Sequence, residues 1–248
     1  LLLMTILVFV VMRVIPGDPA IALLEGDGGG SYTIQDLENL RAELGTDRNL
    51  AVQYVSWLGG IIKGDFGDSF WFKASVMSEL GDRMPRTLEL AILAITISVA
   101  LSMPLGVISA IKPDGWVDLG ARTFTIVGIA IPNFLMAIMM ILFLLAVFNW
   151  LPPLGYVELW ENPAKNLQQM IFPALALAIY DMAFIARVTR SAMMEVLRED
   201  YMRTARAKGL SERVVLVRHG LKNAFLPILT ISGWQFARLF EGAIIIET

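Results

Sequence analysis

Residues 195–227, EVLREDYMRTARAKGLSERVVLVRHGLKNAFLP, form the stretch that decides how this chain is read. Arg198, Arg203, Arg206, Lys208, Arg213, Arg218 and Lys222 alternate there with Val196, Leu197, Tyr201, Ala205, Leu210, Val214, Leu216 and Val217 at roughly helical spacing. The pattern predicts two short helices. Gly209 closes the first in the left-handed conformation that glycine adopts at little cost, and Ser211 caps the second. A hairpin too polar to enter lipid and too apolar to stand bare requires a groove on another protein.

The surrounding chain is far more apolar than a soluble domain of its size. Of 248 residues 56% are hydrophobic and 17% charged, and the mean hydropathy is +0.63. This is the composition of an all-α polytopic membrane protein. The chain has no cysteine, which excludes disulfides, thiolate metal sites and a cysteine nucleophile, and its one histidine, His219, excludes a multi-histidine metal centre within the chain. No Gly-x-x-x-x-Gly-Lys-Ser/Thr loop is present, so any ATP chemistry belongs to a partner. Neither His-Glu-x-x-His nor Gly-x-Ser-x-Gly occurs, which argues against an intramembrane enzyme.

Four runs, 88–111, 123–150, 170–186 and 225–246, read as membrane spans, given that about 20 helical residues cross the hydrocarbon core. The third carries Asp181 and the fourth Arg238 and Glu241, so both must pack against protein rather than lie wholly in lipid. Residues 1–12 are apolar but reach only about 18 Å as a helix, and are expected to be a truncated first span. Loop 151–169 holds Lys165 as its one basic residue, whereas 187–224 holds nine Lys or Arg, which places the second on the cytoplasmic side. The link around Lys112 and Arg122 then also falls inside, and 13–87 outside.

Within 13–87, Ile15-Pro16-Gly17-Asp18-Pro19 reads as a turn and Gly26 to Ser31 as a flexible link. Thr33 with Asp36 caps a helix that runs to Leu44 and is ended by Gly45. A second helix, from Leu50 to Lys63, carries Trp57 and aliphatic residues suited to the water–membrane boundary. A lid packed on the spans and a contact surface for an external partner both fit. Pro104 with Gly106, and Pro132 with Asn133, interrupt the backbone ladder inside two spans, either as packing kinks or as the lining of a pathway. Gly128, Ala130, Ala174, Ala176 and Ala178 permit close helix approach.

The run Tyr201-x-Arg203-Thr204-Ala205-Arg206-Ala207-Lys208-Gly209-Leu210-Ser211, followed by Arg218-His219 and Leu226-Pro227, resembles the cytoplasmic EAA-type loop of ABC importer permeases of the dipeptide, oligopeptide and nickel class. Ile15 to Ala20, Gly64-Asp65-Phe66-Gly67 and Arg86-Thr87-Leu88-Glu89-Leu90 are similar to that class at the same relative positions. Arg203-Thr204-Ala205 stands where the general motif has Glu-Ala-Ala, and Asp181, Arg238, Glu241 and Gly220 are further departures.

The resemblance implies a type I ABC importer permease-like helical bundle, a fragment of a six-span subunit, with 1–12 a truncated first helix, 13–87 an external lid-like segment and 88–248 the permease core. Coupling helices would lie at 195–222. The implied setting is the bacterial or archaeal plasma membrane. The implied partners are the lipid bilayer, a second related permease, two ATPase subunits that bind ATP and Mg, and an external solute-binding protein; no nucleic acid is implied.

Tyr201, Arg203, Thr204, Ala205, Lys208, Gly209, Leu210 and Ser211 are the expected ATPase-coupling residues, and Asn133, Asp181, Arg238 and Glu241 the candidate pathway lining. Arg238 and Glu241, three apart on a helix, could instead pair with each other. His219 is read as a cap or partner contact. No cofactor is expected in this chain. The competing function is an ion-coupled secondary transporter in which Asp181 and Glu241 are the coupling groups.

Overall fold

The computed structural model describes residues 2–14, 17–26, 32–69, 74–153 and 155–247, with side chains for these apart from 14, 26 and 241–247. The chain divides into two compact units, Leu1–Met84 and Pro85–Thr248.

The first unit contains α1 (Leu2–Val14), α2 (Pro19–Gly26), α3 (Ile34–Glu43), α4 (Leu50–Ile62) and a hairpin of β1 (Asp68–Ser69) with β2 (Ala74–Ser75), antiparallel with Asp68 opposite Ser75. The expected cap of α3 is present: the Thr33 hydroxyl accepts from the Asp36 amide while the Asp36 carboxylate accepts from the Thr33 amide. The Thr33 hydroxyl, which donates to the Asp36 carboxylate at 2.7 Å, and then the Thr33 amide hold the Asp36 carboxyl below its ordinary pKa. Gly45 follows in the left-handed region at φ +64°. Asn49 caps α4, and Phe9 of α1 packs against Tyr54 and Trp57 of α4.

Helix α2 is absent from the sequence expectation. It starts at Pro19, where the missing amide proton does no harm, and the Asp18 carboxylate accepts from the Ala20 amide and from Arg41 of α3. Burial pushes the Asp18 carboxyl up, but the Arg41 guanidinium and the helix-start amides outweigh it and hold it below its ordinary value. The strand pair was also not expected. Ile15 and Pro16 of the expected turn, and most of the expected link 26–31, lie outside the described residues.

The second unit is helical: α5 (Val76–Ile111, which begins in the first unit), α6 (Trp116–Ala130), α7 (Asn133–Phe148), α8 (Pro163–Leu197), α9 (Asp200–Ala207), α10 (Glu212–Val214), a π-helical segment (Val215–Leu221) and α11 (Lys222–Glu247). Among the described residues three helical stretches, Val76–Ile111, Pro163–Leu197 and Glu212–Phe240, are long and apolar enough to cross a membrane. The second expected span, 123–150, is not one straight helix. Pro132 has no amide to donate and forces Ile131 into an extended conformation, so α6 and α7 meet at a bend of 106°.

Helix α8 exceeds the expected 170–186 at both ends. Asn162 caps it early, and Asn166 and Gln169, buried polar residues of its first turns, bond to the backbone of Val157 and Pro153 in the preceding loop. At its other end Thr189, Ala192 and Met193 are buried and extend the packed face. That same loop is tied to α5 by Tyr156, whose hydroxyl donates to Glu89 at 2.7 Å and whose ring lies under Arg86. Burial and then the Glu89 carboxylate push the Tyr156 hydroxyl up to about 12.

Helix α8 is the axis of this unit. Ala174 and Leu177 pack on Leu90, Ala91 and Ala94 of α5 and Leu239 of α11, while Ile185, Ala192 and Met193 pack on Ala110, Ala224 and Ile228. Small residues set the spacing, as expected for Gly128, Ala174, Ala176 and Ala178; Ala130 is exposed and takes no part. A methyl group at Gly128 would lie 3.0 Å from Ala183 Cβ, and one at Gly106 would lie 2.6 Å from Thr189 Cβ and 2.7 Å from the Ala186 carbonyl oxygen. Gly106→Ala is therefore expected to destabilise the protein by about 1–3 kcal/mol. Gly120→Ala on α6, where the added methyl meets nothing within 4 Å, serves as the clash-free control in thermal unfolding of the purified protein and is expected to be as stable as wild type or slightly more so.

Candidate functional site

The expected hairpin is half correct. Helix α9 forms, and Gly209 at φ +77° reverses the chain after it. The expected second helix is not separate: α10 has three residues, its Ser211 makes no side-chain cap bond, and the π-helical turns carry it without interruption into α11. Glu195 likewise belongs to α8. The segment is one short helix held between the ends of two long ones.

Helix α9 has two unlike faces. Met202 and Ala205 are buried with Val215 of the π segment and packed against Val196 and Leu197 at the end of α8. Gly220, a departure noted in the sequence, allows this closeness: a methyl group there would touch the Met193 and Met202 side chains at 3.3 and 3.5 Å. On the other face Tyr201, Arg203, Thr204 and Lys208 are exposed, continued by Gly209, Leu210 and Ser211. The Thr204 hydroxyl donates to the Asp200 carbonyl, Arg203 lies 3.5 Å from Asp200, and Arg206 pairs with Glu212 at 2.6 Å across the Gly209 turn. Partial burial and then the Glu199 carboxylate raise the Tyr201 hydroxyl above its ordinary pKa. Of the eight expected coupling residues Ala205 alone points inward. His219 is half-buried, and its carbonyl accepts from the Asn223 side chain.

The candidate pathway residues are not brought together in one cluster. Asn133 is half-buried at the start of α7, beside the bend. Asp181 on α8 is buried and accepts from Gln235 of α11 at 2.8 Å. Arg238 takes Tyr180 as its partner, donating to the hydroxyl at 2.9 Å with its guanidinium 4.7 Å from the ring centroid. The Glu241 side chain lies outside the described residues, so the expected Arg238–Glu241 pair does too. Among the described residues no group of three or more His, Asp or Glu side chains is placed to hold a metal ion.

Sequence reasoning missed a hub at Asp118. This carboxylate, in the first turn of α6, is fully buried. It accepts from the Ser109 hydroxyl of α5, from Arg190 Nε and Nη2 of α8 at 2.6 and 2.9 Å, from Arg122 at 2.5 Å and from the Asp114 amide at 2.9 Å. One carboxylate thus joins α5, α6 and α8, aided by the positive end of its own helix. Arg122 and Arg190 also border a cavity of about 510 Å³ between these helices, floored by Gly106, Ala121 and Ala186. Asp118 stood in the sequence as one acidic residue in an interhelical link, with nothing local to mark it.

These features define a multi-pass helical membrane protein whose connecting helix is exposed on one face and packed into the spans on the other. Residues 102–248 match the family described as binding-protein-dependent transport system inner membrane component, and residues 1–91 match the N-terminal part of such membrane components. The chain belongs to that family: it is a transport permease of the importer type, not an ion-coupled carrier.

It is similar to a Brucella suis protein named as a peptide transport system permease, 38% identical over 247 residues, covering 100% of this chain and 77% of that one. It is also 38% identical over 250 residues to the oligopeptide transport system permease AppB of Bacillus subtilis, covering 100% of this chain and 78% of that protein. Identity to the glutathione transport system permease GsiC of Salmonella choleraesuis is 35% over 247 residues, covering 100% of this chain and 77% of that protein.

Asp118→Ala leaves two guanidiniums without their shared anion. It is expected to destabilise the protein by about 3 kcal/mol, the low end for breaking a buried ion pair because Arg122 and Arg190 keep some access to water. Thermal unfolding of the purified protein measures the loss.

Proposed function

We propose that this permease supplies half of the translocation pathway of an ATP-driven peptide importer, and that α9 is the handle by which ATPase subunits move it. The observation that carries this reading is the two-faced character of α9. Its inner face, Met202 and Ala205, is anchored to α8 and to the rod that continues into α11, while its outer face, Tyr201, Thr204 and Lys208, is exposed. A helix so backed cannot shift alone; displacement of α9 carries the ends of two spans with it as a rigid body.

The nine basic residues of 187–224 support a cytoplasmic position for this face, which in the proposed setting is the inner side of a bacterial or archaeal plasma membrane, where ATP and Mg would be bound and hydrolysed by two partner subunits. A second, related permease completes the pathway and an external solute-binding protein delivers cargo. The relatives' names support a peptide or similar small solute, and the half-buried Arg238 suits the terminal carboxylate of such a molecule. Asn133, half-buried at the α6–α7 bend, is a second candidate contact.

Because the chain has no native cysteine, single cysteines report cleanly. A cysteine at Thr204 is expected to crosslink to a cysteine-scanned ATPase subunit in the assembled transporter, and one at the inward Ala205 is not. Equal labelling at both positions, or none at Thr204 in a transporter that still imports, would refute the handle.

Arg238→Gln is expected to slow uptake of peptides with a free C-terminal carboxylate by about tenfold or more, the loss of a charged hydrogen bond, and to spare C-terminally amidated peptides. Uptake into proteoliposomes with each peptide makes the comparison.

A further inference from the structure

Asp181 and Gln235 are both buried, Asp181 3% and Gln235 0% exposed, on facing sides of α8 and α11. One hydrogen bond joins them, from Gln235 Nε2 to Asp181 Oδ1 at 2.8 Å. The remaining oxygens, Asp181 Oδ2 and Gln235 Oε1, are buried without any donor. If the carboxyl is ionised, both of these atoms are acceptors, and neither can donate to the other. A carboxylate with a single bond in the spanning region is also an expensive arrangement, because no water competes to solvate it.

The neighbourhood offers little to offset that charge. Residues 90–111 of α5 and all of α7 contain no ionisable side chain, and Asp118 and Arg122 of α6 are bonded to each other. On α8 the adjacent ionisable group is Tyr180, and on α11 it is Arg238, whose guanidinium acts on Asp181 through space while bonding to the Tyr180 hydroxyl. Among the described residues no cation donates a hydrogen bond to Asp181.

We propose that Asp181 and Gln235 form a proton-binding site: Asp181 is a neutral carboxylic acid whose Oδ2–H donates to Gln235 Oε1, closing a two-bond ring with the amide bond already present. One proton gives both orphaned oxygens a partner and removes the buried charge. The edges are complementary, since an acid and a primary amide each offer one donor and one acceptor side by side. The pair then fastens α8 to α11, the two spans that flank α9, by hydrogen bonds in a medium where no water competes for them. The proton is taken up from solvent when the helices assemble and stays with the pair. The site is independent of the coupling role of α9 and of peptide specificity.

The test uses the full-length subunit assembled with its partner subunits in lipid nanodiscs. Infrared spectroscopy is expected to show the carbonyl stretch of a protonated carboxyl that shifts in heavy water and is lost in Asp181→Asn. Asparagine reproduces the acid's pattern, its amide donating to Gln235 Oε1 and its oxygen accepting from Nε2. Asp181→Asn is therefore expected to melt at the wild-type temperature, whereas Gln235→Leu, which removes the ring, melts lower.

The absence of a carboxyl band that depends on Asp181 would overturn the proposal. So would an Asp181→Asn variant that melts as low as Gln235→Leu or fails to assemble, because an ionised Asp181 held by Arg238 is then the better description. Both readouts are independent of uptake, so they leave the reading of α9 untouched.

Discussion

Helix α8 can be the axis of this permease because α5 and α6 each present a glycine where they come nearest to it. At Gly106 and Gly128 the backbones of α5 and α6 come so near α8 that even a methyl group would collide with or press on it, and alanine is the commonest residue on the buried face of α8. In lipid no hydrophobic drive pulls apolar helices together, so close packing and polar bonds between helices must hold the bundle. The small residues provide the first. They also bring the backbones near enough for short polar side chains to provide the second: the Ser98 hydroxyl of α5 reaches the Ala178 carbonyl of α8, and Ser109 reaches Asp118.

The polar contacts are arranged along α8 in order. Asn166 and Gln169 bind the loop before it, Asp181 meets Gln235 near the middle, and Arg190 closes on Asp118 further along. Each joins α8 to a different part of the unit. Past Arg190 the contacts become apolar, with Met193 reaching Gly220 and the end of the helix resting against Met202 and Val215. The bonded interior and the exposed face of α9 are therefore parts of one packed body.

Local signals in the sequence were legible and distant ones were not. The capping pair Thr33–Asp36, the glycines at 45 and 209, and the apolar runs of the long helices all depend on neighbours within one or two turns, and they stand where periodicity and capping chemistry put them. Pro132 was read as an interruption, but the size of the bend depends on what α6 and α7 pack against. The Asp118 hub joins residues 9 and 72 positions apart, and Gln235 lies 54 positions from Asp181, so no local spacing could announce them. Ala205 looked like a partner contact because the motif contains it, yet only the fold reveals which side of an eight-residue helix faces inward. Helix α2 was lost because Pro19 suggested a turn and equally suits a first helical position.

The unbroken run from Glu212 to Phe240 has a mechanical consequence. At 1.5 Å per residue its 29 residues make a lever about 43 Å long, with no loop at its base to absorb rotation. A pivot of about 10° at the α9 end would sweep the opposite tip through roughly 7 Å by that length, more than one helical turn. The π turns leave no loop between α10 and α11, so rotation at one end of this run is passed to the other without slack.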